Sequence, residues 1–190
     1  MLNQFIYDCA LWLDATQWSK LLHESYYMYN WVETSHVLSL ILSLGMLFFI
    51  DLRILGIALP QVSATTIARR LQTPMFIGFG LMIITGLLLF YAVPVRTSQS
   101  VWFRIKLILL LLAGINALIF HYLMKQSVDS WDSAPRAPQS IRSGALLSLV
   151  FWTLIVICGR LIAYDWYDCS REQSGLINLL AGCIEGQTQF

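Results

Sequence analysis

The sequence predicts an all-α membrane protein: a four-transmembrane, up-down-up-down helix bundle with an N-terminal interfacial amphipathic helix. Three observations carry this. Only 12% of the 190 residues are charged, half of the roughly 25% usual in soluble domains. Mean hydropathy is +0.65. Four apolar stretches each approach or exceed the roughly 20 residues that cross a bilayer as a helix. Hydrophobic residues make up 57% of the chain, which excludes disorder. A net charge of +1 shows no basic excess, so nucleic acid is not an expected partner.

The chain divides into an N-terminal segment (1–30), a four-helix transmembrane domain (31–165) and a C-terminal tail (166–190). The first thirty residues lack a basic start, an apolar run and a small-residue cleavage site, so they do not read as a signal peptide. Asp14 and Gln17 fit a capping box that opens a helix. Trp18, Leu21, Leu22, Tyr26 and Tyr29 then fall on one face. That face suits the membrane interface, or a lid packed on the bundle. Tyr26, Tyr27, Tyr29 and Trp31 read as an aromatic belt.

The first span covers residues 34–59 and is stopped by Pro60; the second covers 74–93 and is stopped by Pro94. The third covers 101–124 and the fourth 141–164, with Pro135 and Pro138 in the loop between them. None alternates like a strand, and a lone open strand cannot satisfy its backbone in lipid, so all four are helices. Short loops make neighbours antiparallel. Residues 175–184 are apolar but too short to span.

Both termini then share a face with the second inter-span loop. The opposite face has Arg53, Arg69, Arg70, Lys125, Arg136 and Arg142 against Asp51, Asp129 and Asp132. The terminal face has Lys20, Arg96, Arg104, Lys106, Arg160 and Arg171 against Asp8, Asp14, Glu24, Glu33, Asp165, Asp168, Glu172 and Glu185. By cations alone the faces tie. The acidic excess places the termini outside, where a Cys169–Cys183 bridge is allowed. Cys158 lies within the fourth span as an apolar side chain.

An ionisable group inside a span needs an explanation. In the first span, Glu33, His36, Ser39, Ser43 and Met46 form a stripe expected to face the bundle interior, with Asp51 and Arg53 near the far end. In the third, Lys106, Leu110, Gly114, Ala117 and His121 form another. Its small residues allow close helix approach or a flat ligand, and Gly78, Gly80 and Gly86 of the second span allow close packing. The two histidines are offset by about 17 residues, or roughly 25 Å along the membrane normal, so they cannot ligate one metal within one chain. Two sites result. The outer holds His36 with Glu33, Lys106, Tyr91, Arg160 and Tyr164. The inner holds His121 with Asp51, Arg53, Met75, Arg70 and Arg142. The imidazoles suit metal ligation or acid–base roles, and the cations suit a haem carboxylate, quinone or lipid head group. Structural roles compete at every position. His36 bonded to Ser39 or Glu33, His121 at the lipid head groups, and Arg53–Asp51 and Arg160–Glu33 or Arg160–Asp165 pairs would each satisfy these groups without a ligand.

The segment ending FFIDLRILG, with WFRIKLILLLLAGINALIFH and SLVFWTLIVICGRLIAY, resembles a family of small bacterial four-helix integral membrane proteins known only as a domain of unknown function. His36, Asp51, Arg53, Lys106, Asn116, His121, Gly159, Arg160 and Tyr164 match its pattern. The resemblance implies the four-helix fold and the bacterial inner membrane, but no activity. A fainter likeness, by fold-level analogy, runs to copper-resistance membrane subunits and small b-type cytochromes.

No CxxCH, HExxH, Walker loop, GxGxxG or GxSxG occurs, so hydrolysis within the membrane is not expected. Three functions fit. The first is electron transfer through haem b, linked to quinone or a partner subunit. Its ligands would be His36 or His121, with Met75 as a second ligand and Arg53, Arg160 and Lys106 nearby. The second is a non-catalytic anchoring or assembly subunit, working with other membrane subunits or copies of itself. The third is copper handling by His23, Met28 and His36.

Overall fold

In a computed structural model the described residues are 2–127, 131–132, 134, 136–164, 167–170 and 174–184. They form eight helices: α1 (Leu2–Asp14), α2 (Gln17–Glu24), α3 (Tyr26–Ile54), α4 (Ala64–Ala92), α5 (Pro94–Ser98), α6 (Val101–Ser127), α7 (Gln139–Tyr164) and α8 (Gly175–Ala181). Extended pairing among the described residues is an isolated bridge between Ser100 and Asp168. Helices α3, α4, α6 and α7 are each long and apolar enough to cross a membrane. The expected all-α, four-span architecture is thus the observed one, and it is that of a multi-pass membrane protein. Pro135, Asp129, Asp165, Arg171, Glu172 and Glu185 lie outside the described residues.

Helix boundaries depart from the expected spans for local reasons. Helix α1 occupies a stretch where no helix was expected, and it ends at Asp14. Asp14 therefore cannot open α2; Thr16 does, its side chain accepting from Ser19 N–H. The apolar face expected from Trp18 to Tyr29 is broken at Ser25, which is extended, so Tyr26 and Tyr29 belong to α3. Helix α3 ends at Ile54, before Pro60. Gly56 takes φ +77°, and its N–H and that of Ile57 bond the carbonyls of Arg53 and Leu52 at 2.9 Å each. Helix α4 starts ten residues before Pro74 and runs through it. The proline has no N–H to donate to the preceding turn, a loss that neighbouring packing tolerates in an apolar helix.

The chain forms two compact units. The first comprises Met1–Ser35, Ile84–Ile108 and Ile155–Phe190. Here α2 turns Ser19 inward, its hydroxyl donating to Tyr91 O at 2.8 Å, while Thr16 Oγ1 lies 2.6 Å from the Tyr91 hydroxyl. Trp18 and Leu21 stay exposed on the other side. Helix α1 packs on α5. The start of α6 is covered by the tail: Val101 N–H donates to Tyr167 O, Arg96 pairs with the buried Asp168 at 3.1 Å, and Cys169 is disulfide-bonded to Cys183.

The second unit comprises His36–Ile83 and Leu109–Leu154. Its apolar core joins Ile54, Ala64, Trp131, Ala137, Ile141 and Ala145. Helices α3 and α4 approach closely at Gly78, where a Cβ would lie 2.8 Å from Ser43 N. Backbone cannot step aside as a side-chain tip can. Gly78→Ala should therefore force the helices apart and lose about 1–3 kcal/mol, the usual cost of overpacking. Gly80→Ala should not, because a Cβ there meets nothing within 4 Å. Thermal unfolding of both variants in detergent checks this; equal midpoints would refute the close contact.

Candidate functional site

The stripe on α3 faces inward as its periodicity implies. Ser39 and Ser43 are buried, and Ser43 Oγ donates to Ser39 O at 2.8 Å. Ser39 Oγ donates to His36 O at 2.8 Å. His36 is half-buried. The α6 stripe does not face inward beyond Leu110. Gly114, Ala117 and His121 are exposed, and the covered face holds Ala113, Asn116 and Phe120. Asn116 Nδ2 donates to Gly144 O at 3.0 Å, and Phe120 closes over Gly144. A helix apolar on all sides carries no internal sign of which face packs; here an amide-to-backbone bond to α7 sets the rotation.

The other expected site residues are dispersed. Lys106 is half-buried, with its ammonium beside Gly159 and Cys158 of α7. Arg160 is exposed and lies over the Tyr164 ring, 4.0 Å from its centroid, instead of pairing with Glu33. Glu33 and Arg96 instead both act on Tyr29. Asp165, the alternative partner for Arg160, lies outside the described residues. Met75 is half-buried on α4. His23 and Met28 are exposed, with the His23 ring edge-on to Tyr29. Among the described residues no three of His, Cys, Asp and Glu gather into a metal-binding group. An apolar depression of about 460 Å³ is lined by Ile84, Leu87, Leu88, Phe90 and Tyr91, all from α4. One helix face is not the inter-helix crevice, with converging polar groups, that encloses a flat cofactor.

The tightest polar construction lies in the second unit, around Arg53. This side chain is 1% exposed. Its Nε donates to Val62 O at 2.5 Å and its Nη2 to Ala134 O at 3.0 Å. It thereby ties the end of α3 to the loops before α4 and before α7. The expected Asp51–Arg53 pair does not form, since residues two apart on a helix point in different directions. Asp51 meets Ser148 of α7 instead. Neither Ser148 nor the Ala134 carbonyl could be foreseen, because each is far from its partner in sequence.

Asp132 completes this construction. Its Oδ1 accepts from Thr65 N–H at 2.8 Å and its Oδ2 from Thr65 Oγ1 at 2.6 Å, so it caps α4 from a loop 67 residues away. Partial desolvation pushes the carboxyl up. The Thr65 and Ser63 hydrogen bonds and the Arg53 charge outweigh this and hold it below the ordinary aspartate value. A depressed folded value means the stabilisation is complete above the unfolded value near about 3.9. It is lost as pH falls through the lower, folded one. Asp132→Ala should cost about 0.5–2 kcal/mol at neutral pH, the usual worth of an N-cap. It should also remove part of the native chain's acid destabilisation. Denaturation midpoints of the two chains from neutral pH downward check this; parallel curves would refute it.

No protein-family model, curated protein or solved structure matches the chain.

Proposed function

We propose that this chain is a non-catalytic integral membrane subunit that assembles with other transmembrane chains through the uncovered face of α6. One observation carries the reading. Only 6% of the apolar window of α6 is buried within the chain, against 33% for α3. On that face Gly114 has open space where a Cβ would stand, and Ala117 and His121 are exposed beside it. Small residues unused by a chain's own packing suit the close approach of a further helix. A polar ring there gains a partner it would lack in lipid.

The Cys169–Cys183 bridge supports termini in an oxidising compartment, hence a periplasmic face of a bacterial inner membrane. The resemblance to small bacterial four-helix membrane proteins agrees with this. The exposed aromatics Phe5, Trp12, Trp18, Tyr26 and Trp31 suit the head-group region. A second reading, b-type haem or quinone-linked electron transfer, is favoured by His121 alone. Its ring stands on the outward face, so a haem held there would take its other ligand from a neighbouring chain.

Mild-detergent extraction and native mass spectrometry test the assignment. The native chain should run in a complex, and Gly114→Leu should release it as a monomer. A monomeric native chain without copurifying partners overturns the proposal. A Soret band that shifts on reduction and disappears in His121→Ala moves the assignment to haem. Bound copper by elemental analysis moves it to metal handling.

A further inference from the structure

The end of α3 places a carboxylate inside an apolar helix pair without the means to neutralise it. Asp51 is 3% exposed, and its Oδ2 has no hydrogen-bond partner. It stands one turn before Ile54, within the same helix pairing that buries Ile54 against Ile141 and Ala145 of α7. The polar group acting on it is the Ser148 hydroxyl. A hydroxyl has one proton to donate, and an ionised carboxylate has about four acceptor positions. An anion so placed would keep most of its desolvation cost uncompensated.

The surrounding charges are committed elsewhere. On its own helix, Arg53 spends its guanidinium on Val62 and Ala134 carbonyls. On α7, Arg142 Nη1 reaches Gln139, and its Nε is buried without a partner; had it met Asp51, both orphans would be satisfied. In the loop before α7, Asp132 is occupied by Thr65. On α4, Arg69 and Arg70 are exposed, and on α6 Asn116 is bonded to Gly144. A divalent ion would require further acidic or imidazole ligands, and among the described residues no such group exists. A proton needs only the carboxyl itself.

We propose that Asp51 is a binding site for a single exchangeable proton, held within a membrane span as the neutral acid beside Ser148. Loading removes a buried charge, and unloading creates one between α3 and α7. The site therefore gives this protein a proton-dependent contact between those two helices.

Infrared difference spectroscopy of the full chain in lipid nanodiscs tests this. The native protein should show a carboxylic-acid carbonyl band that disappears in Asp51→Asn and declines as pH is raised. Asp51→Glu should shift the band without abolishing it. Ser148→Ala should shift it too, by removing the hydroxyl beside the acid. The Glu variant and the native pH series give an answer even if Asp51→Asn does not fold. A native spectrum without an Asp51-dependent acid band, at every pH where the protein stays folded, overturns the proposal. Loss of the band on adding sodium at constant pH also overturns it, assigning the site to a metal cation.

Discussion

Arg53→Ala is expected to be among the most destabilising single substitutions in this chain. The side chain is buried, and its Nε and Nη2 donate to Val62 O and Ala134 O. Removing it loses two hydrogen bonds from a charged donor, at about 1.5–3 kcal/mol each, and opens a cavity where the side chain lay. A total of about 3 kcal/mol or more follows, a large part of the margin by which a domain is folded. Arg53→Lys separates charge from geometry. An ammonium is a point donor and cannot span two carbonyls as the guanidinium fork does, so it should recover about half the loss. Arg160→Ala is the control, because Arg160 is exposed and exposed substitutions usually stay within about 0.5 kcal/mol. Detergent denaturation midpoints measure all three. If Arg53→Ala matched Arg160→Ala, the guanidinium would be incidental to the fold.

That contrast also marks what the sequence could tell. The four long helices were legible because about 20 consecutive apolar residues have one common outcome in lipid. The inward face of α3 was legible because Ser39 and Ser43 recur at helical spacing on a helix that packs deeply. The rotation of α6 was not. Its small and polar stripe looked inward by composition, yet α6 is the least covered span, and the side that packs is chosen by Asn116 reaching Gly144. Helix ends were misplaced wherever the terminator was a glycine with positive φ, as at Gly56, or a cap supplied from far along the chain, as by Asp132 for α4. The charged residues were recognisable as a group needing an answer. Their partners were not, because those partners are backbone carbonyls and a serine hydroxyl that carry no distinguishing pattern.

The second large effect is expected from opening the tail disulfide. Cys169 and Cys183 close a loop with a sequence separation of 14, and a loop of this size contributes about 3 kcal/mol in the chain-entropy account. The bridge also secures Asp168 against Arg96, Tyr167 against Val101, and Gly182 against the Arg104 guanidinium. Cys169→Ser should therefore loosen the first unit, detected as faster amide exchange in residues 95–101. Gly78→Ala acts in the second unit and should leave those amides unchanged. The same cysteines report topology. Cys9 is exposed and free, and Cys158 is buried. A membrane-impermeant maleimide applied to intact spheroplasts should label Cys9 directly, label Cys169 and Cys183 only after reduction, and leave Cys158 unmodified. Labelling of Cys9 only after lysis would put the termini in the cytoplasm, where reducing conditions disfavour the bridge. The periplasmic assignment and the stabilising role of the bridge would then fail together, because both depend on the tail facing an oxidising compartment.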